Sequence, residues 1–90
     1  MEYIKGKGET MDISRVITLS DLKPSQQGRV VTIKTKNVQE LKRLMQAGVL
    51  HDACVNVLHK DGRYVLFFAN YKELAVDQEV ALGIYVGLDD

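Results

Sequence analysis

Five segments of the chain are short, rich in β-branched or aromatic residues and bounded by turn residues, which is the pattern of β-strands. A short extended piece around Ile17 precedes them and ends in one helical turn before Pro24, because proline disfavours helical geometry in the residue before it. Asp77 begins a single helical turn between the last two strands. The five predicted strands cover residues 29–35, 53–59, 64–69, 72–76 and 84–86.

One segment between the first two predicted strands has helical spacing. Asn37 is a favourable N-cap residue, and Glu40 three residues later completes a variant of the capping box. Gly48 supplies the left-handed residue that commonly ends a helix. Apolar residues recur every three or four positions between these two ends, which predicts that they form the core-facing side of the helix. These apolar residues are Val38, Leu41, Leu44 and Met45.

The connections between the later strands are typical of β-hairpins. Asp61-Gly62 joins the strands at 53–59 and 64–69 and is a strong signal for a tight turn. Asn70-Tyr71 makes the next connection, and asparagine tolerates the positive φ that such turns require. The strand at 64–69 is apolar on both faces, so we expect its outer face to be covered. The residues predicted to face the core from these two strands are Val55, Val57, Tyr64, Leu66 and Phe68.

A small sheet of this kind avoids exposed edges by closing on itself. We therefore predict a mostly β fold, a small SH3-like barrel of about five strands with one α-helix after the first strand. The helix is expected to cover one opening of the barrel. Residues 16–88 form the predicted domain, and residues 1–15 form a flexible leader, because that segment has no apolar period.

Composition narrows the class of protein. The chain has 90 residues, enough for one domain, and 46% of them are hydrophobic, which argues against disorder. Twelve basic and twelve acidic residues give no net charge, which argues against a strongly basic nucleic-acid binder. One cysteine cannot form an internal disulfide, which is typical of a reducing compartment. No apolar run approaches the roughly 20 residues of a membrane-spanning helix. These features predict a small cytoplasmic domain, for which a binding role is favoured over catalysis.

The order of apolar and turn positions resembles that of a known family over residues 17 to 86. The matching segments are Leu19–Pro24, Val30–Ile33, Leu41–Val49, Val55–Val57, Leu74–Val76 and Ala81–Val86. On these residues the chain resembles the FeoA family, the small cytoplasmic partner of the bacterial ferrous iron transporter. It is also similar to the C-terminal SH3-like module of iron-dependent repressors.

Five positions depart from the pattern of that family. Ser25 stands where the family usually has glycine, and Ala47 stands where it has leucine. His51-Asp52 replaces a Pro-Gly turn. Asn70 replaces a glycine, which is a mild change because asparagine also enters the left-handed region.

The resemblance implies an accessory, non-enzymatic role in ferrous iron uptake. The protein would bind the cytoplasmic part of the GTPase permease FeoB and modulate its assembly or activity. It is expected to bind no nucleic acid and no cofactor, to reach the membrane only through its partner, and to form at most a weak homo-oligomer. The polar side of the helix and its apolar rim form the predicted docking patch. Its residues are Gln39, Lys42, Arg43, Gln46, Val49 and Leu50.

Four polar residues suggest a metal site as an alternative: His51, Asp52, Cys54 and His59. Zinc requires three or four ligands that converge on one point. Cys54 and His59 are five positions apart on one predicted strand and should point to opposite faces, so we predict no metal ligand within one chain. Nothing near Cys54 is placed to lower the pKa of its thiol, so we predict an inert cysteine and no catalytic residue.

Two functions from other classes remain open. The first is a stand-alone SH3-like regulatory module that binds a peptide or a divalent transition metal, as the resemblance to repressors implies. The second is a binder of single-stranded nucleic acid, because bases stack on exposed aromatic side chains that are interleaved with basic ones. Acidic residues at Asp61 and Glu73 weaken this second reading. The basic and aromatic residues concerned are Lys60, Arg63, Tyr64, Phe67, Phe68, Tyr71 and Lys72.

Overall fold

The computed structural model of the protein describes residues 15–88. The predicted leader, residues 1–15, lies outside the described residues except for Arg15. The elements are β1 (Val16–Thr18), β2 (Gln27–Ile33), α1 (Val38–Gln46), β3 (Cys54–Lys60), β4 (Tyr64–Ala69), β5 (Lys72–Asp77), α2 (Gln78–Ala81) and β6 (Ile84–Leu88).

All six strands belong to one sheet in the order β1-β6-β2-β3-β4-β5, and every neighbouring pair is antiparallel. The prediction of a mostly β, SH3-like fold is confirmed. The helix α1 follows the second strand rather than the first, and a short second helix, α2, precedes β6. The structure has six strands because the short extended piece near Ile17 is itself a strand, in which Ile17 pairs with Val86.

Ser20 connects the segment after β1 to β3 and α2. It follows β1 and is buried. The ammonium group of Lys60, at the end of β3, donates a 2.8 Å hydrogen bond to the carbonyl oxygen of Ser20. The side-chain amide of Gln78, at the start of α2, donates to the hydroxyl oxygen of the same residue. These contacts hold the segment after β1 against the end of β3 and the start of α2.

The core consists of side chains that alternate along the strands, together with Leu44 of the helix. Val55 and Val57 face inward as predicted. In β4 the inward residues are Val65, Phe67 and Ala69, so the prediction that Tyr64, Leu66 and Phe68 fill the core is wrong. Pairing decides the face, because Phe67 lies opposite the buried Val57 and Val65 lies opposite the buried Val76.

A β-bulge changes the direction of side chains near the end of β3. The register shifts between Val57 and His59, so His59 lies opposite Leu66 on the outer face of the sheet. Cys54 pairs with the exposed Arg29 and lies on the same outer face. The prediction that Cys54 and His59 point to opposite faces is therefore wrong, since it assumed a strand without an extra residue.

The N-cap of the helix is as predicted, whereas its apolar side is only partly buried. The Asn37 side chain accepts a 3.1 Å hydrogen bond from the backbone N–H of Glu40. Leu44 is the buried residue of α1, whereas Val38 is 63% exposed and Met45 is 52% exposed. The prediction that Val38 and Met45 face the core is wrong, because the short helix turns only a narrow side toward the sheet.

The two hairpin turns use different chemistry. The Asp61 carboxylate accepts hydrogen bonds from the backbone N–H groups of Arg63 (2.7 Å) and Tyr64 (3.2 Å). The bond from Arg63 is the main reason why the pKa of Asp61 lies below its ordinary value. Gly62 does not have a positive φ, so the carboxylate rather than glycine forms this turn. At the second turn, Asn70 and Tyr71 both have positive φ, at 50° and 64°.

Candidate functional site

A surface groove of about 560 Å³ lies between the segment after α1 and the turn that joins β4 to β5. We call it the turn groove. Its apolar lining includes Leu50, Phe68 and Tyr71, which are all partly or largely exposed. The complete lining is Gly48, Leu50, His51, Asp52, Ala53, Cys54, Asn56, Phe68, Asn70 and Tyr71.

Every described residue with a positive φ lines the turn groove. These residues are Gly48, Asp52, Asn70 and Tyr71. Such conformations are unfavourable for residues other than glycine and persist where surrounding contacts enforce them. Asn70 donates a 3.0 Å side-chain hydrogen bond to the carbonyl oxygen of Ala47, and the backbone N–H of Asp52 donates a 2.7 Å bond to the carbonyl oxygen of Val30. The walls of this groove are therefore fixed by hydrogen bonds.

A second, shallower groove of about 220 Å³ lies between α1 and β2, and we call it the helix groove. Leu50 and His51 line both grooves and form the wall between them. Nδ1 of His51 lies 2.9 Å from the carbonyl oxygen of Val31. A carbonyl oxygen only accepts, so Nδ1 carries the hydrogen and the ring orientation is fixed. The lining is Val30, Val31, Thr32, Ile33, Leu41, Met45, Val49, Leu50 and His51.

The structure divides the predicted docking patch. Val49 is fully buried, so its side chain cannot contact a partner and that part of the prediction is wrong. Leu50 is 48% exposed and stands beside the helix groove. The remaining three polar residues, excluding Arg43, are exposed along the outer side of α1: Gln39, Lys42 and Gln46.

Arg43 makes hydrogen bonds within the protein, although its side chain is 42% exposed. Its guanidinium donates two hydrogen bonds, of 2.8 and 2.9 Å, to the Glu40 carboxylate and one of 2.7 Å to the backbone carbonyl of Ala75 in β5. The hydrogen bond from Arg43 holds the pKa of Glu40 below its ordinary value, and that of Arg43 is raised in return. The bond to Ala75 attaches α1 to the edge strand β5. Arg43 therefore has a structural role.

The outer face of β3 and β4 presents Leu58, Tyr64 and Phe68, which are between 37% and 44% exposed. The rings of His59 and Tyr64 lie 6.1 Å apart on this face. Two residues of the predicted nucleic-acid surface are not available there. Phe67 is buried, and Lys60 is bonded to Ser20, so the alternation of bases and aromatics that the sequence indicated is not present on one surface.

Within residues 15–88, no three His, Cys, Asp or Glu side chains are grouped so that they could hold a metal ion. Cys54 is an exposed free thiol whose sulfur accepts a hydrogen bond from the Gln27 amide. Residues 15–88 also include no helix with the length and apolar character needed to cross a membrane.

The protein-family model of the FeoA domain matches residues 17–88 of this chain. This chain belongs to the FeoA family. The protein is thus a small protein related to ferrous iron transport, in a family of non-catalytic accessory domains. A comparison with curated protein sequences finds no match.

Solved structures of FeoA proteins have the same fold. A crystal structure of an iron uptake regulatory protein, FeoA, is 21% identical with a TM-score of 0.70, over 82% of this chain and 97% of that one. The FeoA protein of Chlorobium tepidum is 25% identical with a TM-score of 0.75, over 82% and 71% of the two chains.

A manganese-dependent transcriptional repressor also contains this fold. It is 17% identical with a TM-score of 0.73, and the similarity covers 82% of this chain but only 41% of the repressor. This likeness shows a shared fold and carries no function to the present chain.

Two of the residues that depart from the family pattern line the turn groove. Asp52 has a φ of 75° and Asn70 has a φ of 50°, and both stand where the resemblance led us to expect glycine. The groove could not be predicted from either residue alone, because each occupies a separate turn and the two turns meet only in the folded chain. Their shared signal was the replacement of two glycines by residues that tolerate the left-handed region.

Proposed function

We propose that this protein is a cytoplasmic accessory protein of ferrous iron uptake that binds the cytoplasmic part of a FeoB-like GTPase permease and modulates its assembly or activity. The match of the FeoA domain to residues 17–88 is the observation that supports the proposal. Binding by surface recognition requires no chemistry from this chain, only a surface with exposed apolar and charged side chains.

The grooves support a binding role. Leu50 is shared by both of them, Met45 stands over the helix groove, and Tyr71 stands over the turn groove with 91% of its surface exposed. Clusters of exposed apolar side chains in a soluble domain commonly mark protein–protein contact sites. Fixed turns and a bonded imidazole keep these walls in place, which reduces the entropy lost on binding.

The proposal is tested by titrating the full chain into the purified cytoplasmic part of the FeoB-like permease from the same organism. We expect saturable binding by calorimetry and a changed rate of GTP hydrolysis. Ferrous iron uptake should fall in cells without this protein and recover when the wild-type chain is supplied. A permease that neither binds the chain nor changes its hydrolysis rate, in cells whose uptake is unaffected by the deletion, would contradict the proposal.

A further inference from the structure

Apolar side chains in and beside the helix groove are left uncovered by the fold. Val38 is 63% exposed, Met45 is 52% exposed and Leu50 is 48% exposed. Val38 and Met45 lie on the same side of α1 as Leu41, which lines the groove, because these positions are separated by three, four or seven residues. The helix therefore presents a continuous apolar row beside β2.

The charged residues that border this row are positive. Lys42 lies one helical turn from both Val38 and Met45, and it is exposed. Lys34 and Lys36 are exposed in the segment that joins Ile33, a lining residue of the helix groove, to the start of α1. Within residues 15–88, these three ammonium groups make no hydrogen bond or ion pair.

Acidic side chains lie to the sides of the groove rather than along it. The lining of the helix groove contains no aspartate or glutamate. Glu40 is bonded to Arg43 on the side of α1 that faces β5. Asp52 lines the turn groove, and Glu79 lines a separate small cavity together with Lys34 and Lys36.

We infer that the helix groove is the docking site for an acidic amphipathic segment of a partner protein. Apolar side chains of that segment would contact Leu41, Met45 and Leu50, and its carboxylates would face Lys34, Lys36 and Lys42. Helix α1 has nine residues and is about 14 Å long, which accommodates two to three turns of a helical segment laid alongside it. The inference rests on the proposed function in that the partner would be the permease.

The turn groove is a poorer fit for such a segment. Its lining includes the acidic Asp52 and the amides of Asn56 and Asn70. An acidic ligand would meet the Asp52 carboxylate there, whereas the lining of the helix groove contains no carboxylate. Charge complementarity therefore favours the helix groove over the larger turn groove.

A pair of synthetic peptides tests the chemistry of the groove directly. Each has about 14 residues with leucine at helical spacing, and the polar positions are glutamate in one peptide and lysine in the other. Titrated into the ¹⁵N-labelled full chain, the acidic peptide should shift the amide signals of Leu41, Met45 and Leu50. The basic peptide should bind at least about tenfold more weakly. Equal affinity, shifts confined to the turn groove, or no binding of the acidic peptide would overturn the inference.

Matched variants locate the binding surface. The double variant Lys34→Glu/Lys42→Glu should weaken the acidic peptide at least about tenfold, whereas Lys23→Glu/Lys72→Glu, also at exposed positions, should change affinity less than about twofold. Met45→Ser should weaken it more than Leu82→Ser, because the two side chains are 52% and 50% exposed but only Met45 lines the groove. Equal effects within either pair would overturn the inference, provided that circular dichroism shows every variant folded.

Repeating these titrations with the permease separates the two proposals. A permease that does not bind the wild-type chain contradicts the proposed function but leaves the peptide result in force. A permease that binds wild type and Lys34→Glu/Lys42→Glu equally well supports the proposed function and overturns the inference.

Discussion

The side-chain amide of Asn70 donates a 3.0 Å hydrogen bond to the carbonyl oxygen of Ala47, at the C-terminal end of α1. Carbonyl groups at this end of a helix have no partner within the helix, so the turn between β4 and β5 supplies one. The same amide occupies the space into which a Cβ on Gly48 would point. The helix end and the hairpin turn are therefore held together as one unit that forms a wall of the turn groove.

Replacing Asn70 with aspartate should destabilise the protein by about 1–2 kcal/mol. Aspartate tolerates the φ of 50°, but a carboxylate cannot donate to the Ala47 carbonyl. The free energy of unfolding, measured by urea denaturation at pH 7, checks this expectation. Asn70→Gly, which keeps the backbone conformation and removes the repulsion, should cost less than Asn70→Asp. If both variants unfold at the wild-type midpoint, the hydrogen bond contributes nothing.

Gly48→Ala should destabilise the fold by about 1–3 kcal/mol, because the φ of Gly48 is 90° and a Cβ there meets the amide of Asn70. Gly62→Ala is the matched control, since nothing lies within 4 Å of its Cβ position and its φ is not positive. Thermal and chemical unfolding of both variants should show a loss at position 48 and almost none at position 62. Similar losses at both glycines would refute the structural explanation.

Glu40→Gln should reduce stability at neutral pH and much less in acid. Arg43 lowers the pKa of Glu40 in the folded state, from an ordinary value of 4.5. Stabilisation by the charged carboxylate is therefore fully present above that value and is lost as the pH falls through the lower folded-state pKa. The pair is partly exposed, so its contribution at pH 7 is below about 1 kcal/mol. Denaturation of the wild type and Glu40→Gln at pH 7 and pH 2.5 measures the difference between their free energies of unfolding. A difference that is as large at pH 2.5 as at pH 7 contradicts the prediction.

Val49 and Leu50 are neighbours with opposite expected roles. Val49→Ala should lower the free energy of unfolding by about 1–3 kcal/mol, because it leaves a cavity at a fully buried position. Leu50→Ala should change stability by less than about 1 kcal/mol and should weaken binding of the acidic peptide, because Leu50 is 48% exposed beside both grooves. Unfolding curves and peptide titrations on both variants test these two roles. A large loss of stability in Leu50→Ala together with a loss of peptide affinity only in Val49→Ala would contradict them.

Much of the fold could be predicted from local patterns. The strand at residues 64–69 has the predicted bounds, and α1 begins after Asn37 as its capping residues indicate. The face of that strand could not be predicted, because it is apolar on both sides. Its choice depends on pairing of Phe67 with Val57, a contact between strands that no local period reports.

The candidate site was less accessible to sequence reasoning. Spacing placed Val38 and Met45 on the side of α1 that should face the core, and only tertiary packing shows that the helix turns them toward solvent. The bulge after Val57 changes which face His59 occupies. No residue type in β3 indicates where such a bulge lies, so its position could not be predicted. The turn groove depends on two distant turns that meet through Asn70 and Ala47.

Leu50 and His51 belong to both grooves, and this sharing has a thermodynamic consequence. A molecule that displaces either side chain in one groove alters the shape of the other. This effect is mutual by thermodynamic linkage. If a ligand in the turn groove changes the affinity of the helix groove for its ligand by some factor, that second ligand changes the affinity of the turn groove by the same factor. Two ligands bound to this small domain would therefore change each other's affinity through the wall that Leu50 and His51 form.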